Sequence, residues 1–139
     1  MILPMDTRAI ALSTGLLICA SIGAAESQFT KPDMTLAHYI KSLNSRDLAG
    51  INTTLLNPVS DFNFANYPTV ERYRVVKRIR YTDKHVREYR KGIGPSAAVG
   101  DIELHVEEVL RGKPYMFSYN LRETPAGWKI VDYLMWGQQ

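Results

Sequence analysis

The sequence predicts an α+β fold, with helices at the front packed in a curved antiparallel sheet that follows them. Three observations carry this. Apolar residues recur at helical spacing between Pro32 and Leu56, the period changes to two from Arg72 onward, and glycine-containing turns divide the second half into hairpins. Ahead of the fold stands a leader. Ala9 to Gly23 is a nearly continuous apolar run of 15 residues preceded by Arg8, with Asp6 cancelling that charge. A permanent membrane-spanning helix takes about 20 such residues, so the segment reads as a secretory signal. Gly23, Ala24 and Ala25 supply small side chains for cleavage after Ala25, making residues 1–25 a signal peptide and 26–139 a single domain.

Cys19 is the only cysteine and lies in the leader, where the bulky Ile18 before it does not suit lipidation. The remaining chain is free of thiols, which excludes disulfides, thiolate nucleophiles and cysteine-containing zinc sites. Its size allows one hydrophobic core.

Thr30, Pro32 and Asp33 suit a helix start, and Leu36, Tyr39, Ile40 and Leu43 form one apolar stripe. Asn44 to Arg46 interrupt it. Leu48, Ile51, Leu55 and Leu56 resume it, giving one kinked helix or two in series with Ser45 capping the second. Asn57 and Pro58 end that pattern, and residues 59–69 form an irregular connection. In Arg72 to Tyr81 the odd positions Tyr73, Val75, Ile79 and Tyr81 are mostly apolar, whereas Arg72, Arg74, Arg78 and Arg80 fall on the even ones. A glycine-rich loop spans Lys91 to Gly100. In Asp101 to Leu110 the positions Ile102, Leu104, Val106 and Leu110 face inward and Asp101, Glu103, His105 and Glu107 outward; Glu108 breaks that alternation, and a bulge nearby would account for it. A turn at Arg111 to Lys113 leads to a strand with Tyr115, Phe117, Tyr119 and Leu121 on one side. The last strand, after the turn at Thr124 to Gly127, carries Trp128, Ile130, Asp132, Leu134 and Trp136 on one side.

The run Leu36 to Leu56, containing AHYIKSLNSRDLAGINTTLL, resembles the opening helices of the nuclear transport factor 2-like superfamily. The segment GDIELHVEEVLRGKPYMFSYNLRETPAGWKIVDY is similar to that superfamily's closing strands. The resemblance implies a cystatin-like cone, in which a bent sheet wraps helices and leaves an apolar cavity open at one end. Members include isomerases, dehydratases, secreted ligand binders and interaction modules, so the fold alone selects no function. GWKIVDYLMWG also looks like the terminal strand of periplasmic phospholipid-shuttle proteins of the toluene-tolerance type. Those chains continue with more helix, so the expectation for this one is a smaller apolar ligand.

An isomerase of this kind needs a carboxylate base facing the cavity and hydroxyl donors for an oxyanion. Asp132 is the candidate carboxylate, Tyr39 and Tyr119 the candidate donors, and Trp136 joins them as a ligand-binding side chain. The competing reading makes Asp132 a structural carboxylate with a partner. His105 and Glu107 form H-x-E without the cysteines a zinc deaminase requires, and His38 and His85 have no partner at ligand spacing; neither a metal nor a cofactor is expected.

Arg72 to Lys91 holds nine basic residues against Asp83 and Glu88. The face carrying Arg72, Arg74, Arg78 and Arg80 suits an anionic envelope surface or an acidic protein partner, or else pairs across strands with the acidic face of Asp101 to Glu107. Nucleic acid is disfavoured by the export signal. The leading expectation is an exported, periplasmic or secreted, non-catalytic domain that binds a small apolar or anionic ligand or a protein partner, with a homodimer an allowed assembly. The alternatives are a small isomerase or dehydratase-like enzyme using Asp132, and an envelope lipid-binding protein.

Overall fold

The computed structural model describes residues 28–92 and 96–138; the expected leader and its expected cleavage site lie outside them. Within this span the fold is mixed α+β. Helices α1 (Pro32–Asn44) and α2 (Leu48–Thr54) come first, followed by a 3-10 turn at Phe64–Asn66. Strand β1 (Val70–Arg80), helix α3 (Asp83–Gly92), and strands β2 (Ile102–Leu110), β3 (Lys113–Thr124) and β4 (Gly127–Gln138) complete it. The strands form one antiparallel sheet in the order β1-β2-β3-β4, so β1 and β4 are its edges.

Helix α1 begins with Pro32 in its first turn, where the missing N–H costs nothing, and with Asp33 near the positive end of the helix dipole. Its stripe of Leu36, Tyr39, Ile40 and Leu43 is buried as the spacing predicts. The two-helix alternative holds, with a different cap. Ser45 closes α1, and Asp47 opens α2 by accepting a hydrogen bond from the Gly50 N–H at 3.0 Å. Ile51 then drops into the same core as Leu36, Leu104, Leu121 and Ile130.

Side-chain hydrogen bonds fasten these helices to the sheet. Asn44 clamps both backbone groups of Val70, donating to its carbonyl at 3.0 Å and accepting from its N–H at 2.9 Å, which fixes the start of β1. The Thr35 hydroxyl donates to the Trp128 carbonyl at 2.8 Å. Leu56 N–H donates to the Ile130 carbonyl at 2.9 Å, so the chain leaving α2 covers part of the β4 edge.

Gly127 shows how closely the lead-in segment approaches the sheet. Its φ is +101°, and a β-carbon there would lie 2.7 Å from the Phe29 carbonyl oxygen, which accepts the Trp128 N–H at 2.9 Å. Gly127→Ala combines a left-handed strain with a backbone clash. It is expected to cost about 2 kcal/mol, read as a lower urea midpoint at unchanged slope.

Helix α3 is absent from the sequence expectation. Val86 and Tyr89, three apart, pack with Tyr81, Ile79 and Ala97 into a small second core on the side of the sheet away from α1 and α2. The sheet therefore has two covered faces: a helix face under α1 and α2, and an outer face partly roofed by α3 and the segment from Ser96.

Candidate functional site

Register decides which side chains meet on each face. Val75 pairs with Val106 on the helix face, but Lys77, not Val76, pairs with His105. Val76 is the extra residue of a bulge, and it inverts the alternation beyond it. The four arginines expected on one face are accordingly divided. Arg72 and Arg74 lie on the outer face, where Arg74 Nε approaches Glu107 Oε1 at 3.2 Å. Arg78 and Arg80 lie on the helix face opposite Leu104 and Ile102, and Arg78 pairs with Asp33 of α1 through both guanidinium nitrogens. That pair is about half exposed, so its contribution to stability is small.

A second bulge corrects the expected faces of β4. Leu121 pairs with Ile130, whereas Asn120 pairs with Asp132, leaving Val131 extra. Trp128 and Ile130 face α1, and Tyr133 and Met135 continue that face in place of Asp132 and Leu134. Asp132 lies on the outer face. There its Oδ2 accepts from the hydroxyls of Tyr89 at 3.0 Å and Ser96 at 2.5 Å. Burial and the Asp132 charge push the Tyr89 hydroxyl up to about 12. Trp136 is also on the outer face, donating from Nε1 to Ser118 Oγ at 2.8 Å.

Tyr39 and Tyr119 do meet. Their rings make an edge contact at 5.8 Å on the helix face, and both line a cavity of about 290 Å³. Leu43, Val70, Leu110, Phe117 and Met135 give it mostly apolar walls, and Tyr67 and Pro68 of the irregular connection help to close it. Tyr67 and Tyr133 bridge that connection to β4 through a hydroxyl pair 2.5 Å apart.

The carboxyl in this cavity is Glu108. Opposite it β2 and β3 pair without a shift, so Glu108 keeps the inward parity of Leu104, Val106 and Leu110. It is 2 % exposed, and its Oε1 accepts the Tyr119 hydroxyl at 2.5 Å. Removing a carboxylate from water disfavours its charged form; burial pushes Glu108 up to about 7, against the opposing pull of the Tyr119 hydrogen bond. Burial also holds the Tyr39, Tyr119 and Tyr133 hydroxyls protonated well above their ordinary value.

The result is one titratable carboxyl and a ring of neutral phenols facing an apolar space. This arrangement can donate or accept a hydrogen bond near neutrality, or exchange a proton with a bound molecule. Sequence reasoning missed Glu108, although an acidic residue at an inward-facing position was itself the signal. Among the described residues, no group of three histidine, cysteine or acidic side chains is placed to hold a metal, and no helix is long and apolar enough to cross a membrane. Comparison with protein-family models, curated proteins and solved structures finds no match to this chain.

Proposed function

We propose that the chain is an exported, non-catalytic binding domain of cone shape, whose ligand is a small and mainly apolar molecule with one polar end. The observation that carries this reading is a single buried carboxyl, hydrogen-bonded to Tyr119, at the wall of an otherwise apolar cavity. Tyr39 and Tyr119 keep the role of ligand-binding side chains, and Glu108 takes the polar role first given to Asp132. Below pH 7 the protonated Glu108 donates to a carbonyl or carboxylate; above it the charge repels anions and leaves a carbonyl without its donor.

A neutral naphthyl ketone with environment-sensitive emission, 6-acetyl-2-dimethylaminonaphthalene, is a suitable probe. Its saturable, blue-shifted binding is expected to weaken about tenfold between pH 6 and pH 8.5, and Glu108→Gln should remove most of that dependence. Absence of saturable binding at both pH values counts against the proposal. Export itself is read by whether the amino terminus of the protein recovered from a secreting host is Glu26.

One observation favours a second reading, a small isomerase. A carboxyl titrating near neutrality is well poised as a general base. Loss of the probe's acetyl protons to deuterium, fast with the native chain and slow with Glu108→Gln, would select it over simple binding.

A further inference from the structure

The outer face holds a separate pocket of about 200 Å³ between β2, β3, β4 and α3. Register places Glu103, Asn120 and Asp132 side by side on three adjacent strands at its floor. Asn120 is 3 % exposed, and its Nδ2 donates to Asp101 Oδ2 at 3.2 Å, which fixes the direction of its amide. Its Oδ1 is sealed from solvent and has no hydrogen-bond partner. A buried carbonyl without a donor costs about 1–3 kcal/mol. Here it sits between two carboxylates, in a pocket that no lysine or arginine among the described residues lines. Arg122, on the same face, is engaged by Asp101 and the Ser96 carbonyl.

Glu103 Oε2 lies 2.9 Å from His105 Nε2, and Asp132 Oδ2 accepts from Tyr89 and Ser96, so the acceptor of this floor that lacks a donor is Asn120 Oδ1, with two carboxylates beside it. The outer wall is Leu134 and Trp136, 44 % and 60 % exposed, apolar side chains that lie at the surface, with the Trp136 indole held by Ser118. We propose that this pocket binds the primary ammonium group of a small alkylamine, its N–H donors shared among Glu103, Asn120 Oδ1 and Asp132, with the alkyl stem against Leu134 and Trp136.

The alternatives fit less well. An anion meets two carboxylates. A quaternary ammonium offers charge but no N–H to Asn120, and a hydroxyl offers one donor without charge. The site is on the opposite side of the sheet from the Glu108 cavity and does not depend on the reading given to that cavity.

Of the two tryptophans, Trp128 is buried in the main core, so a change at the Trp136 indole reports this pocket. Titration of the full chain with ethylammonium chloride, followed by the Trp136 indole and Asn120 side-chain amide signals in NMR, is expected to give saturable shifts at both groups. Tetramethylammonium should bind about tenfold more weakly, as should ethylammonium to the isosteric variants Asp132→Asn and Glu103→Gln. Equal response to the two cations would reduce the effect to attraction by the Trp136 ring and overturn the proposal. So would the absence of any saturable shift at Asn120 in the folded native chain.

Discussion

Replacing Glu108 with glutamine is expected to flatten the pH dependence of stability between pH 4.5 and 7 and to leave the variant more stable than the native chain above pH 7. The carboxyl's folded-state value, about 7, lies above its ordinary 4.5, so between those values the folded chain holds a proton that the unfolded chain has released. Stability from this group is fully present below pH 4.5 and is lost as pH rises through 7. A displacement of that size corresponds to about 3 kcal/mol. Glutamine keeps the shape and can still accept the Tyr119 hydroxyl, but has no charge to bury. Urea unfolding of both chains at pH 5 and pH 8.5 measures the effect. Parallel curves at the two pH values would mean that Glu108 titrates as an ordinary surface acid.

The second large effect is at Asp101, which is 1 % exposed. Its two oxygens accept from Arg122 Nε and Nη2 at 2.9 Å each, from Asn120 Nδ2 at 3.2 Å and from the Ala98 N–H at 3.0 Å. Asp101→Ala removes the acceptor for all four contacts and strips Arg122 of its carboxylate partner. Breaking one member of a buried ion pair costs about 3–5 kcal/mol, far more than losing an exposed pair such as Arg78–Asp33. Urea unfolding at pH 7 is expected to show that loss. Asp101→Asn, which keeps one acceptor and the side-chain volume, should lose less; equal losses would show that the carboxylate charge, and not the retained acceptor or volume, carries the effect.

Much of the fold was legible because burial imposes its period on the chain. The stripe of Leu36, Tyr39, Ile40 and Leu43 buried itself as spacing required, and the strands and their turns occupy the expected places. What alternation could not reveal was where it resets. Val76 and Val131 are ordinary strand residues with no local mark of a bulge, yet each reverses the faces of the residues that follow it, in β4 as far as Trp136. Arg78, Arg80, Asp132, Leu134 and Trp136 all lie opposite to where parity alone puts them. Glu108 was misjudged for the reverse reason. An acidic side chain at an inward position looked like a break in the pattern, whereas the pattern was intact and the carboxyl buried. Helix α3 was hidden by composition: its apolar contacts are few, Val86 and Tyr89, among lysines and arginines that registered only as a basic segment.

The β4 bulges have a consequence for how this gene can change length. Val131 and Trp136 both stand outside the one-to-one pairing with β3. An in-frame codon deletion at 131 would straighten the strand while leaving Asp132 and Tyr133 on their present sides. Loss of Ile130 instead would bring Val131 opposite Leu121 and keep Asp132 opposite Asn120, so the bulge absorbs a deletion at either position. The strand therefore carries spare length at a defined point, through which evolution can trim it without exchanging the linings of the two pockets.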